Sequence, residues 1–118
     1  MTGIFTNLRL DVMDDKPGWF RVVDDVTYIN GDFTYTVPAG FETDLASIPA
    51  FLRPFFSRIG PSRKPAVFHD HMYGSNWKTR KDCDHWFKRM LKSREVPSWK
   101  ATMYYLGVRG GGWTRGSW

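Results

Sequence analysis

Four polar residues lie where helix geometry would bring them together, and their types suit proton transfer. His69, Asp70 and Tyr73 share one predicted helix, and their spacing of three and four positions places them on one side of it. Asp84 lies on the next predicted helix, three residues before Phe87, and so leans towards the apolar side of that helix. A carboxylate among apolar side chains costs several kcal/mol unless it is paired, so Asp84 needs a partner.

The loop between these two helices, residues 74–78, is short enough to make them antiparallel neighbours. The expected partner of Asp84 is then the His69 imidazole or the Tyr73 hydroxyl. A carboxylate that accepts the proton of one ring nitrogen fixes the histidine tautomer and makes the other nitrogen a base. Arg80, one turn before Asp84, is a second expected partner for the carboxylate.

Asp70 lies beside that candidate base and could hold a hard cation. Carboxylate and carbonyl oxygens are the ligands that Ca²⁺ prefers, and it needs at least six of them. Asp44, together with backbone carbonyls of the turn over residues 41–47, could complete the set. The sequence therefore predicts Asp70 and Asp44 as ligands of Ca²⁺.

Other interpretations of the same residues remain open. A His–Asp pair between two helices can be a buried hydrogen-bond network that fixes helix register and has no catalytic role. Zinc binding by His69, His71 and His85 is disfavoured, because His69 and His71 are two positions apart and face different ways on a helix. Cys83 is the single cysteine, which excludes an internal disulfide and favours a small apolar core residue.

The elements that would position these side chains follow an α+β order: an antiparallel β-sheet and then three to four helices. Residues 1–40 contain segments of alternating apolar and polar side chains, or of Val, Tyr and Trp, that are typical of β-strands. Residues 47–112 have helix signals, and no linker separates the two parts, so the sequence predicts one domain over residues 1–118. The predicted strands are Phe5–Leu10, Trp19–Ile29 and Phe33–Val37, with a hairpin turn at Asn30-Gly31-Asp32. The predicted helices are Ala50–Ile59, Ser62–Tyr73, Thr79–Lys92 and Ser98–Arg109, followed by a tail, Trp113–Trp118, that could dock by its tryptophans.

The net charge of +5 is unevenly distributed. Residues 1–45 carry three basic and eight acidic side chains, whereas residues 46–118 carry fourteen basic and four acidic ones. A basic half can bind nucleic acid, anionic lipid or an acidic partner, or can simply be a solvated surface. No apolar run is long enough for a transmembrane segment, and residues 1–10 lack the features of a signal peptide.

Three segments resemble an uncharacterised protein family that is common in tailed phages and prophages, domain of unknown function family 1353. They are Phe41–Pro49, with the pattern F-x-T-D-x-x-S-I-P, His69–Tyr73, with the pattern H-D-x-x-Y, and Arg80–Phe87, with the pattern R-x-x-x-D-x-x-F. The resemblance covers about residues 15–113 and implies a phage or prophage protein located in the host cytoplasm or the virion. It implies no activity.

Residues 62–112 are also similar to the small bacterial and fungal secreted phospholipases A2. The shared features are H-D-x-x-Y on one helix and an aspartate on the next, which together imply an antiparallel helix pair of the phospholipase A2 kind. The resemblance implies that His69 activates a water, that Asp70 binds Ca²⁺, that Asp84 orients His69 and that Tyr73 supports this network. The disulfides and the glycine-rich calcium loop of that group are absent from the sequence.

Two functions follow as expectations. One is a Ca²⁺-assisted hydrolase of ester bonds, with phospholipid as a candidate substrate and a role in lysis or host interaction. The other is a non-enzymatic phage structural or accessory protein, such as a virion or tail component, that binds another phage protein and uses the same polar network as a scaffold. Binding of nucleic acid through the basic half is a third, less supported possibility, which predicts strong salt dependence.

Overall fold

The computed structural model describes residues 3–44 and 63–111, which belong to two compact units, residues 1–44 and 45–118. The described part of the first unit contains β-strands and that of the second contains helices. This arrangement confirms the α+β class. The change from strand to helix between residues 40 and 47 stays a prediction, since strands extend to Thr43 and the next described element begins at Arg63. The assignment of both parts to one domain stays a prediction.

The N-terminal unit folds into two antiparallel sheets of three strands each, rather than the single sheet expected from the sequence. One sheet has the strand order β1-β4-β5, and the other has the order β2-β3-β6. The strands are β1 (Ile4–Phe5), β2 (Leu10–Val12), β3 (Phe20–Val22), β4 (Val26–Asn30), β5 (Phe33–Val37) and β6 (Glu42–Thr43).

The predicted hairpin is confirmed between β4 and β5. Asn30 pairs with Phe33, so Gly31 and Asp32 form a two-residue turn. Gly31 has φ of 60°, a conformation that favours glycine because it has no Cβ. Tyr28 and Tyr35 face each other across the two strands and are both buried, which gives the hairpin its apolar side.

The prediction of one continuous strand over Trp19–Ile29 is wrong. The chain leaves one sheet after Val22 and enters the other at Val26. In the intervening segment, Asp25 Oδ1 accepts a hydrogen bond of 2.7 Å from the Ala39 amide, and Asp24 pairs with Arg9 at 2.8 Å. Aspartate carboxylates that bind backbone amides compete with strand pairing, which explains the break. The predicted first strand, Phe5–Leu10, is also wrong over most of its length, because Phe5 ends β1, Leu10 begins β2 and residues 6–9 belong to neither strand.

Three helices make up the described part of the C-terminal unit: α1 (Arg63–Gly74), α2 (Arg80–Ser93) and α3 (Ser98–Gly111). They confirm the last three predicted helices to within two residues at each end. The predicted helix Ala50–Ile59 and the tail Trp113–Trp118 lie outside the described residues.

The start of α2 is fixed by a capping box. Thr79 Oγ1 accepts a hydrogen bond from the Asp82 amide, and the Asp82 side chain accepts one from the Thr79 amide. Both residues thereby satisfy amides that the helix itself cannot pair. The five residues between α1 and α2 keep the helices in contact as antiparallel neighbours.

The core of the helical unit lies between the apolar sides of its helices. A cluster of fully or nearly fully buried residues joins them: Ala66, Phe87, Leu91, Val96, Ala101, Tyr104 and Val108. Among the described residues, no helix is both long and apolar enough to cross a membrane. The core therefore packs the three helices against one another, and polar groups inside it must find partners there.

Candidate active site

Asp84 is the centre of a polar cluster inside the helical unit. It is fully buried on α2, and its Oδ1 lies 2.6 Å from His69 Nε2 and 2.6 Å from the Tyr73 hydroxyl, both on α1. Its Oδ2 accepts a hydrogen bond of 3.0 Å from Arg109 Nη1 on α3. One carboxylate thus connects all three helices, and the predicted pairing of Asp84 with His69 and Tyr73 is confirmed as contacts.

The surroundings of Asp84 determine the histidine tautomer. A carboxylate can only accept hydrogen bonds, and Asp84 already faces a guanidinium and a phenol that donate to it. His69 Nε2 therefore carries a proton and donates to Oδ1. This is the arrangement required of a histidine that is oriented by an aspartate to act as a base.

The His69 ring is held in place by aromatic neighbours. It is fully buried, and its centroid lies 4.3 Å from that of Tyr73 and 4.6 Å from that of Phe87. Contacts on both α1 and α2 therefore limit rotation of the ring. A fixed ring keeps the hydrogen bond to Asp84 aligned, which is what an oriented base needs.

Tyr73 acts as a permanent hydrogen-bond donor to Asp84. Burial raises the pKa of the Tyr73 hydroxyl well above its ordinary value, and the hydrogen bond to Asp84 raises it further. The nearby Arg80 side chain, also a hydrogen-bond partner of Tyr73, opposes this shift only in part. Tyr73 therefore stays protonated at neutral pH, and it donates to the carboxylate rather than reacting itself.

Arg109 is the member of the cluster that the sequence did not predict. The expected partner of Asp84 on its own helix was Arg80, but Arg80 Nη1 donates to the backbone carbonyl of Arg109 at 3.3 Å. Arg109 Nη1 is instead the guanidinium nitrogen that lies against Asp84 Oδ2, at 3.0 Å. An arginine next to the buried stripe of α3, one residue after Val108, was the only available signal, and it does not by itself identify a partner on another helix.

Asp70, the predicted Ca²⁺ ligand, is half-buried on α1 directly after His69. Asp44, the second predicted ligand, is the last described residue of the N-terminal unit and is also half-buried. Within residues 3–44 and 63–111, no three His, Cys, Asp or Glu side chains form a group that could hold a metal ion. The described residues therefore supply one carboxylate beside the histidine, and the Ca²⁺ site stays a prediction.

The three histidines do not form the alternative zinc site. His85 is exposed on α2 and lies 3.4 Å from the Tyr105 hydroxyl, as expected for a surface residue. His71 was also expected at the surface but is half-buried, because α1 is enclosed over most of its length. Burial lowers the pKa of His71, although the neighbouring Asp70 acts in the opposite direction.

Cys83 is a buried core residue, as predicted. Its thiol donates to the Trp77 carbonyl at 3.1 Å, and burial, with the negative charge of Asp84, raises the pKa of Cys83 to about 12. A thiol in this state is a poor nucleophile. Cys83 therefore has no part in the candidate site, although it is the direct neighbour of Asp84.

Comparison with known proteins gives a family but no activity. A family model described as "Protein of unknown function (DUF1353)" matches residues 20–108, which include His69, Tyr73 and Asp84; Arg109 follows directly after the matched span. Neither the curated proteins nor the solved structures contain a match to the chain. The family model matches well over half of the chain, and the chain therefore belongs to the DUF1353 family of proteins of unknown function.

Proposed function

We propose that this protein is a hydrolase that cleaves ester bonds by water attack, with His69 as the general base and Asp84 as the residue that orients it. The observation that supports this most directly is the 2.6 Å contact between His69 Nε2 and Asp84 Oδ1, with the Tyr73 hydroxyl on the same oxygen. Two antiparallel helices hold these groups in one enclosed arrangement. A base oriented in this way typically contributes a factor of about 10²–10⁴ to a rate.

The proposed reaction uses one side chain, His69, and one water molecule. His69 Nδ1 takes a proton from a water molecule while the water oxygen bonds to the ester carbonyl carbon. The tetrahedral intermediate then collapses, the bond to the leaving oxygen breaks, and the imidazolium returns its proton to that oxygen. The products are a carboxylic acid and an alcohol. Because the His69 side chain has no exposed surface, the proposed reaction requires the helical unit to open enough to admit a water molecule and the ester carbonyl to Nδ1.

Ca²⁺ enters the proposal through Asp70. When bound, a hard cation beside the base would stabilise the negative charge that develops on the carbonyl oxygen. Asp70, the residue after His69, is proposed as a ligand on the resemblance to small phospholipases A2. The described residues form no complete ligand set, and the proton transfers are assigned to His69, which Asp84 orients.

Phospholipid is the proposed ester, on the similarity of residues 62–112 to small phospholipases A2. The likeness to a family of tailed phages and prophages adds a setting, in which the enzyme would act on host lipid during lysis or host interaction. The location proposed on the same basis is the host cytoplasm or the virion. The phospholipid substrate, the role in lysis or host interaction and the location all depend on the proposed ester hydrolysis, and each is wrong if the protein hydrolyses no ester.

The decisive test is hydrolysis by a variant that keeps the hydrogen bond to Asp84. His69→Gln places an amide N–H near the position of Nε2 but has no basic nitrogen. We expect it to reduce hydrolysis of short-chain phospholipid esters by at least about a hundredfold, with the circular dichroism spectrum unchanged. His71→Gln, on the same helix, is the matched control and should retain activity.

Calcium dependence is tested in the same assay. Activity should rise with added Ca²⁺ and disappear with a chelator, and Asp70→Asn should shift the Ca²⁺ requirement upward. If the unaltered protein hydrolyses no ester with or without Ca²⁺, the proposed hydrolase is wrong. Activity that ignores both Ca²⁺ and the chelator would retain the His69 mechanism and remove the cation from it.

A second candidate function is favoured by the complete burial of His69 and Asp84. A buried His–Asp pair that is linked to all three helices is also what a non-enzymatic structural or accessory protein would use to fix helix register. In that case the protein would bind another phage protein. It would show no hydrolysis, and His69→Gln would change only its stability and its binding to that partner.

A further inference from the structure

An apolar stripe lies on the outward side of α3. Trp99 is 70 % exposed and Leu106 is 62 % exposed, and Met103 between them is also exposed. Positions 99, 103 and 106 follow the i, i+4, i+7 spacing of one helix side. This side is opposite the buried residues Ala101, Tyr104 and Val108, so it belongs to the surface and not to the core.

A basic stripe lies on the outward side of α2. Its members recur at the spacing of one helix side, and all of them are exposed or half-buried. They are Lys81, His85, Lys88, Arg89 and Lys92. The three lysines and Arg89 carry a positive charge at neutral pH, and α2 contains no acidic residue after Asp84. Asp82 in the first turn lies near this side, so the basic stripe has one sign of charge from His85 to Lys92.

The two stripes border each other through Tyr105 of α3. The Tyr105 hydroxyl lies 3.4 Å from His85 Nε2, and Lys88 Nζ lies 5.5 Å from the centre of the Tyr105 ring. On α3, position 105 lies on the flank between the buried side and the outward side. The apolar stripe and the basic stripe therefore form one continuous α2–α3 face.

We propose that the α2–α3 face docks the protein on a surface of anionic phospholipid. Exposed Trp, Met and Leu side chains enter the boundary between headgroups and acyl chains, while lysines and arginines beside them bind anionic headgroups. The inference rests on the proposed ester hydrolase, because it makes an aggregated lipid surface, rather than a dissolved ester, the source of the substrate. It adds a docking face that is separate from His69 and Asp84.

The charge and the apolar side chains together select this occupant. A second copy of the chain packed on the same face would bring two basic stripes together without a counter-charge. Nucleic acid would satisfy the lysines and arginine, but it would leave Trp99, Met103 and Leu106 against phosphates or water. A lipid surface with anionic headgroups satisfies both stripes at once.

The test is flotation of the full-length protein with phosphatidylcholine vesicles, with and without phosphatidylglycerol. We expect binding to the anionic vesicles that is at least about tenfold stronger than to phosphatidylcholine alone and that weakens as salt is added. Trp99→Ser with Leu106→Ser, and separately Lys88→Glu with Lys92→Glu, should each reduce binding at least about tenfold. Ile4→Ser, which removes an apolar side chain that is 72 % exposed on the N-terminal unit, is the matched control and should bind normally.

Hydrolysis of a dissolved short-chain ester, measured on the same variants, separates this inference from the proposed function. Unchanged hydrolysis of the dissolved ester with reduced vesicle binding supports the docking face. Hydrolysis without vesicle binding overturns the docking face and leaves the hydrolase standing. Vesicle binding through this face without hydrolysis supports the docking face and removes the hydrolase. Binding to duplex DNA that outcompetes the vesicles, or equal binding to both kinds of vesicle, would also overturn the inference.

Discussion

Two histidines on neighbouring helices each face a hydrogen-bonding side chain, and they differ in almost every other respect. His69 is fully buried, and its contact with Asp84 is 2.6 Å long. His85, the residue after Asp84, is exposed, and its contact with the Tyr105 hydroxyl is 3.4 Å long. A hydrogen bond gains strength where water is excluded, and a charged partner strengthens it further. The difference explains why fixed geometry, and any chemistry that depends on it, belongs to His69.

The largest effect in this comparison should come from Asp84→Ala. The substitution leaves the donors of His69, Tyr73 and Arg109 facing a space without an acceptor. Removing one partner of a buried ion pair costs about 3–5 kcal/mol, which should appear as a large shift of the urea unfolding midpoint. Asp82→Ala on the same helix removes only the side-chain half of the capping box, since the Asp82 amide still donates to Thr79 Oγ1, and should cost about 0.5 kcal/mol. A smaller loss for Asp84→Ala than for Asp82→Ala would contradict the central role of this carboxylate.

Arg109→Met should have the next largest effect. It keeps the length and apolar stem of the side chain but removes the positive charge from the fully buried Asp84. A hydrogen bond to a charged group contributes about 1.5–3 kcal/mol, and part of this is lost to solvent because Arg109 is itself partly exposed. We expect a cost of about 1–2 kcal/mol in urea unfolding. Arg109→Lys should recover part of it, whereas no effect of either variant would mean that α3 is held without the ion pair.

Arg80 donates to the Arg109 carbonyl and Arg109 donates to Asp84, whereas the sequence predicted that Arg80 would pair with Asp84. This difference shows which contacts can be predicted from spacing along the chain and which cannot. Local rules were sufficient for the hairpin turn at Gly31, because the signal lies in two adjacent residues. The start of α2 was predicted to within one residue, but its capping box, Thr79 with Asp82, was not. The pairing of His69 and Tyr73 with Asp84 could be predicted because a short loop fixes the two helices as neighbours. Arg109 could not be assigned, because its contact depends on how α3 is rotated against α2 and no spacing along the chain encodes that rotation.

The strands show the same limit. The Val, Tyr and Trp content of Trp19–Ile29 predicted a strand, and most of those residues are in strands. What this composition could not reveal was that Asp24 and Asp25 divide the segment between two sheets. That division depends on partners as distant as Arg9 and Ala39, and a carboxylate in a strand-like run has no local feature that identifies its partner.

Tyr73→Phe removes the hydroxyl that donates to the buried Asp84 and keeps the ring, so that no cavity forms. The Asp84 oxygen that loses it still accepts from His69, so the carboxylate keeps a partner. A hydrogen bond to a charged group contributes about 1.5–3 kcal/mol, and because Asp84 keeps His69 and Arg109 as donors we expect a smaller loss of about 1 kcal/mol in urea unfolding. Tyr105→Phe on the exposed pair is the matched control. Equal losses for the two variants would show that burial does not distinguish the pairs.

His71 lies between the two histidines in exposure and should make stability depend on pH. Because burial lowers its pKa in the folded state, the unfolded chain takes up a proton first as the pH falls through the ordinary value of about 6.5. Stability is therefore complete above that value and declines below it. His71→Gln should reduce the difference between urea midpoints measured at about pH 7.5 and about pH 5.5. An unchanged difference would assign the acid sensitivity to other groups.

The smallest effect should belong to the exposed pair. A hydrogen bond of 3.4 Å between His85 and Tyr105 is weak in geometry, and both partners exchange it for water at little cost. We expect His85→Ala to change the free energy of unfolding by less than about 0.5 kcal/mol. The double variant with Tyr105→Phe should show no coupling between the two positions beyond experimental error. Coupling as large as that between Tyr73 and Asp84 would mean that the contact between His85 and Tyr105 is as strong as the contacts around His69. The difference between the exposed pair and the buried pair would then have a cause other than burial.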